Sequence, residues 1–132
     1  MERISIYHRL VNFSDIDQIE SVKAELNDRF GKLPQEVHQF LKAVELKILA
    51  AGIFAERLVL KDSSLKIFFS KDAQNSEKFF DTVIPNLMSQ RTAKIRFIEK
   101  PDLSVLISLR GEERVEKMDF AKKILQAVLD ND

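Results

Sequence analysis

The sequence predicts an α+β fold: a helical hairpin followed by two ββα units, with an antiparallel four-stranded sheet covered by helices. Three observations predict it. Apolar residues recur with a period near 3.6 up to Gly52, the period then drops to 2 over short stretches, and each pair of those stretches is followed by another helical run. No parallel βαβ crossover is required. No solenoid period, low-complexity stretch or linker interrupts the chain, so residues 1–132 read as one domain.

Residues 1–13 read as a lead-in, with Ile4, Tyr7 and Leu10 on one face. Ser14 is an N-cap candidate, and Asp15 and Asp17 follow in the first turn, where carboxylates favour the positive end of a helix. Ile16, Ile19, Val22, Leu26 and Phe30 then form a narrow stripe, which predicts a helix packed on one side with Glu20, Glu25 and Asp28 toward solvent. Residues 25–52 organise the rest. Gly31 stands where a left-handed residue ends the first helix, and Pro34 where the first turn of the next accepts its fixed φ. Gly31-Lys32-Leu33 is the expected connection, and Gly52 is expected to close the second helix as Gly31 closes the first. That second helix is apolar on two sides, with Val37, Phe40, Leu41, Val44 and Ile48 in one stripe and Leu46, Leu49, Ala50 and Ile53 in another. It is expected to be the central helix.

Beyond Gly52, Leu58 and Leu60 alternate with Arg57, Val59 and Lys61; Asp62-Ser63-Ser64 supplies a turn; Leu65, Ile67 and Phe69 alternate with Lys66 and Phe68. This pattern is a β-hairpin. Asn75 or Ser76 caps a third helix carrying Phe79, Phe80, Val83, Ile84, Leu87 and Met88. Pro85 lies inside it and predicts a kink or break near Ile84, because the residue before proline is pushed out of the αR region. A second hairpin pairs residues 94–99, with Ile95 and Phe97 inward, against residues 104–109, with Val105, Ile107 and Leu109 inward; Lys100-Pro101-Asp102 turns between them. Gly111 ends the sheet. Residues 112–129 form the last helix, with Val115, Met118, Ala121, Ile124, Leu125 and Val128 facing in and Glu112, Glu113 and Glu116 near its start. The ββα unit thus occurs twice, over 56–89 and 94–129.

Composition excludes several function classes. The 21 basic and 21 acidic residues cancel, so no global field draws in nucleic acid or an acidic membrane. With no cysteine there is neither a disulfide framework nor a thiolate zinc site, which fits a reducing compartment. No apolar run approaches the ~18 residues of a membrane span, and no signal peptide opens the chain. A cytoplasmic protein with no membrane partner is expected. Because the amphipathic pattern begins almost at once, the chain reads as a fragment of a longer protein. Three glycines cannot build a phosphate-cradling loop, and no G-x-S-x-G elbow is present. His8 and His38 stand on separate segments without partners at i+3 or i+4, and read as surface or helix-boundary residues. No catalytic residue, metal or cofactor is therefore expected.

Two surfaces carry candidate binding chemistry. Residues 53–110 hold ten Lys/Arg against seven Asp/Glu, with Arg91, Lys94 and Arg96 clustered at the second hairpin. Lys94 and Arg96 share an exposed face, to which Lys61 or Lys66 could contribute, and that face could contact phosphates as an accessory nucleic-acid-binding module. The plainer account is a strand face kept soluble by lysine, with no exposed aromatic interleaved. Glu25 and Asp28, at i and i+3 on the first helix, form the second surface. They sit at the negative C-terminal end, where anions are disfavoured, and Arg29 neutralises part of their charge. Carboxylates at such a position suggest a cationic partner, a solvated helix face being the alternative.

Residues Arg3-Ile4-Ser5-Ile6-Tyr7-His8-Arg9-Leu10 and then Glu25-Leu26-Asn27-Asp28-Arg29-Phe30-Gly31-Lys32-Leu33-Pro34, with Leu46-Lys47 and Ala51-Gly52-Ile53 downstream, resemble the C-terminal domain of bacterial transcription-repair coupling factor. The family pattern runs close to R-L-x-x-Y-x-R and then E-L-x-D-R-F-G-x-L-P. The resemblance is specific over the first ~53 residues and extends beyond them in element order. It implies a domain of a multidomain ATP-driven DNA translocase that displaces stalled RNA polymerase and recruits the excision-repair protein UvrA. It further implies that this domain is non-catalytic and autoinhibitory, docking on a UvrB-like module of the same chain and masking the surface UvrA uses. Glu25 and Asp28 match the acidic positions implicated in that docking. Phe30, Gly31 and Pro34 are expected to serve packing and turn geometry, and Arg29 either an internal ion pair or the interface.

Overall fold

A computed structural model describes residues 16–130. Its four helices and four-stranded antiparallel sheet, counted among the described residues, make the fold α+β as the hydrophobic periods require. The chain divides into two compact units, one ending at Ile48 and one beginning at Leu49. The predicted lead-in and the Ser14 cap lie outside the described residues.

In the first unit, α1 (Ile16–Phe30) and α2 (Gln35–Ala51) form the helical hairpin. Ile19, Val22 and Leu26 from α1, Leu33 from the turn, and Val37, Leu41 and Val44 from α2 make one buried cluster, with Phe40 and Ile48 packed against it. Each such side chain contributes roughly 1.5–3 kcal/mol on burial, so the stripe rather than helix propensity holds α1 in place. Gly31 has φ +72°, and its N–H donates to the Asn27 carbonyl at 2.9 Å, capping α1 as expected. A Cβ there would meet nothing within 4 Å, so the demand for glycine is purely one of backbone conformation. Pro34 falls one residue earlier than the first turn: α2 begins at Gln35, and the Pro34 carbonyl accepts from the N–H groups of Val37 and His38. The second stripe of α2 is buried too, with Leu46, Leu49 and Ala50 all in the core, and the last turn of the helix belongs to the second unit.

Two expectations from this region are corrected. Phe30 is 48% exposed rather than part of the apolar stripe. Leu33, just past the corner, takes the place in the cluster that the period assigned to it. Gly52 does not close α2 in a left-handed conformation; Phe54 does, with φ 68°, after a tight turn of i→i−3 bonds from Gly52, Ile53 and Phe54. Gly52 is required for space instead. A Cβ on it would lie 2.9 Å from Leu129 Cδ2 and 3.2 Å from the Leu49 carbonyl oxygen.

In the second unit, β1 (Ala55–Lys61) and β2 (Ser64–Phe69) form the first hairpin, β3 (Ile95–Ile98) and β4 (Ser104–Ser108) the second. Sheet order is β1-β2-β4-β3, antiparallel throughout. The register aligns Leu60, Leu65, Ile107 and Ile95 in one inner row and Leu58, Ile67, Val105 and Phe97 in the next. Alternation along each strand thus puts one wholly apolar face inward. That face meets Phe79, whose ring lies 4.8 Å from Phe69 and 5.8 Å from Phe54, both edge-on.

Of the kink or break expected near Ile84, the segment around Pro85 shows no break but a local π-helical irregularity. A 3₁₀ turn (Lys71–Asn75) leads into a π-helical segment (Phe79–Val83) that runs directly into α3 (Ile84–Met88). Ile84 stays in the αR region, and its N–H donates to the Phe79 carbonyl, an i→i−5 bond. The wider π turn makes room for the proline ring without interrupting the helix. Phe79, Val83 and Leu87 face inward while Phe80 and Met88 are exposed. The last helix, α4 (Arg114–Asp130), buries Met118, Ala121, Ile124, Leu125 and Val128 as its period predicts. The Asn86 amide donates to the Val128 carbonyl at 3.0 Å, tying α3 to α4.

Candidate functional site

The last turn of α1 presents the acidic corner. Leu26 is buried on the stripe, so Glu25, Asp28 and Arg29 project from the remaining circumference, and all three are exposed. Arg29 Nη1 stands 4.0 Å from Glu25 Oε1, one helical turn apart. An exposed i, i+4 pair at that distance is worth about 0.3–0.5 kcal/mol, too little to fix either side chain. The Arg29 guanidinium carbon also lies 5.3 Å from the centre of the Phe30 ring. Arg29 therefore has an internal partner in Glu25 and still sits at the surface. Asp28 forms no ion pair with any described residue.

Phe30 is the residue that sequence reasoning missed. The 3.6 period assigns it to the stripe, but the chain turns at Gly31 and, among the described residues, leaves that last position half-exposed. Its signal was the turn itself: an apolar residue immediately before a left-handed glycine has no neighbour four residues on in its own helix to share a core with. The corner consequently combines two carboxylates, a guanidinium and a half-exposed ring. Chemically it suits a partner carrying a cation beside an apolar contact, and aromatic and charged anchors of this kind dominate small interfaces.

The basic candidates are split. Lys94 and Arg96 belong to the outer face of the sheet, whereas Arg91 is exposed in the loop before β3, outside the strand register. One outer row runs Lys61, Ser64, Ser108, Lys94, the last pair joined by the bond from the Ser108 N–H to the Lys94 carbonyl at 3.0 Å. The next runs Val59, Lys66, Leu106, Arg96. In the third, Arg57 pairs with Phe68, an aromatic that shares this face but is half-buried rather than exposed. The Arg57 guanidinium carbon is 4.6 Å and Lys66 Nζ 4.9 Å from the centre of the Phe68 ring.

A separate open cleft of about 430 Å³ is lined by Gln74, Phe80, Glu99, Pro101, Asp102 and Leu103. Its two carboxylates have no nucleophile or histidine beside them, and it carries no catalytic reading. His38 is half-buried on α2. Among the described residues no helix is long and apolar enough to cross a membrane.

The sequence model of the TRCF domain matches residues 1–79, which include the acidic corner and the first hairpin but not Lys94 or Arg96. The transcription-repair-coupling factor of Rickettsia bellii (strain RML369-C) is 33% identical over 101 residues, covering 74% of this chain and 9% of that protein. That of Borreliella burgdorferi is 24% identical over 122 residues, 92% of this chain and 10% of that protein. The chain thus spans about a tenth of the length of these relatives. Among solved structures, the C-terminal domain of transcription-repair coupling factor superposes with a TM-score of 0.74 at 22% identity, covering 98% of this chain and 81% of that one. This likeness extends the shared fold through the second hairpin and α4.

Proposed function

The chain belongs to the TRCF domain family, and from that membership we propose that it is a non-catalytic regulatory domain that restrains its parent protein by docking within it. The parent is an ATP-driven DNA translocase of transcription-coupled nucleotide excision repair, which displaces stalled RNA polymerase in the cytoplasm. This domain docks on the UvrB-like module of the same chain and masks the surface that UvrA uses. Docking needs no cofactor in this domain. RNA polymerase, UvrA and DNA are reached through the parent.

One observation supports the docking site above others. Glu25 and Asp28 lie exposed in the last turn of a helix whose C-terminal dipole disfavours them, within the stretch that matches the family motif. An arginine-bearing partner surface would complement both carboxylates, exchanging with the weakly held Arg29, while the Phe30 ring supplies apolar contact.

The test mixes this chain with the isolated UvrB-like module in a calorimeter at low and at physiological salt. Binding is expected to weaken with salt, and Glu25→Lys with Asp28→Lys to lower affinity at least tenfold, about 1.4 kcal/mol. The thermal transition of the double variant is the control for folding. A double variant that melts normally and binds as tightly as the parent chain would show that the corner is not the docking site.

A further inference from the structure

We propose that the outer face of the sheet is a docking surface for the phosphodiester backbone of a nucleic acid, held by Lys61, Lys66, Lys94, Arg96 and Arg57. The proposal goes beyond the docking role: it concerns the other unit and a ligand of opposite charge to the one the acidic corner takes. Acidic and basic residues balance over the whole sequence, yet the three outer rows carry these five cations and no carboxylate. Segregation of that degree is not a by-product of composition. None of the five forms an ion pair with a described residue.

Solubility and edge protection account for part of the pattern, because β1 and β3 are the sheet edges and exposed lysine there blocks unwanted pairing. They do not account for Lys66, which lies on the interior strand β2. Nor do they explain why Arg57 and Lys66 both stand over the Phe68 ring. The ring holds two like charges at the face instead of letting them swing into solvent, and like charges so placed repel until an anion joins them.

The occupant follows from the layout. An acidic peptide strand would add to an edge and read side chains along one line. Here the cations spread across three of the four strands, over a patch about 14 Å wide given the ~4.8 Å strand spacing. A duplex presents one phosphate charge per ~1.7 Å of axis, so a patch of that width faces several phosphates at once. Because Phe68 is occupied by cations, it is not an open platform for stacking bases. The contact is therefore with the backbone and carries no base preference.

The experiment titrates the full chain into fluorescently labelled 20-base-pair DNA duplexes of two unrelated sequences and follows anisotropy at several salt concentrations. Both duplexes are expected to bind equally at low salt. The double variant K94E and R96E is expected to lose at least tenfold in affinity and to lower the slope of log affinity against log salt by about 1.8, two phosphate contacts' worth. A control carrying the same charge change on exposed residues outside the sheet, K32E and K123E, is expected to keep the parent slope. Circular dichroism melts establish that both variants are folded. Absence of duplex binding at low salt, an equal loss in the control variant, or tighter binding of polyglutamate than of duplex would each overturn the proposal.

Discussion

Gly31 and Gly52 show how one residue type answers two demands. At Gly31 nothing crowds the absent Cβ, so substitution acts through the left-handed backbone alone. Gly31→Ala is expected to destabilise the chain by about 1–2 kcal/mol, read as a lower urea midpoint at unchanged slope. At Gly52 the backbone is unremarkable in φ and the crowding is real, 2.9 Å to Leu129 Cδ2. Gly52→Ala should therefore cost less in a Leu129→Ala background than in the parent chain, a coupling that a double-mutant cycle measures; equal costs would place the strain elsewhere. Asp28 offers a third case. Removing its charge from the C-terminal turn of α1 with Asp28→Asn is expected to raise stability by about 0.3–0.5 kcal/mol while weakening the proposed docking, as a residue kept for an interface rather than for the fold would. The sequence showed Glu25 and Asp28 through their offset from the stripe, but not Phe30, because a hydrophobic period cannot say where the covering element stops.

At the scale of elements, the strands were the most legible part. Apart from a bulge at Glu56 in β1 the strands alternate, and a slip of one residue would turn Leu65, Ile67, Val105 and Ile107 out to solvent, so pattern and register had one joint solution. The segment before α3 was the least legible. The rule for residues preceding proline is a steric preference, and at Ile84 a π turn relieved the clash that a break would otherwise have had to relieve. Packing supplies the reason to keep the helix whole: Phe79, within the π turn, is fully buried and meets the rings of Phe54, Phe69 and Phe80 edge-on. Phe79→Ala is expected to cost about 3–5 kcal/mol in chemical denaturation, among the largest single losses in the chain. A loss below 1 kcal/mol would mean that the ring cluster contributes little.

At the scale of the whole chain, the two units carry their own apolar clusters, and the one formed by α1, the turn and α2 is complete within the first. Local opening is then expected to follow the units. Leu26→Ala should lower hydrogen-exchange protection in α1 well before it lowers that of β2 and β4, whereas uniform loss would mark a single cooperative block. Strand order could not be read from the sequence because two hairpins of similar pattern can join through either pair of edges. The observed order, β1-β2-β4-β3, joins them through their second strands. Every other strand pairing closes within a hairpin across a short turn, in the microsecond range typical of such elements. Only the β2–β4 junction unites segments distant in sequence, so its loop closure is expected to set the pace of assembly of the sheet. Leu65 opposite Ile107 and Ile67 opposite Val105 are thus the residues at which the sheet becomes a single object, and trimming Ile67 to valine should slow folding more than it hastens unfolding.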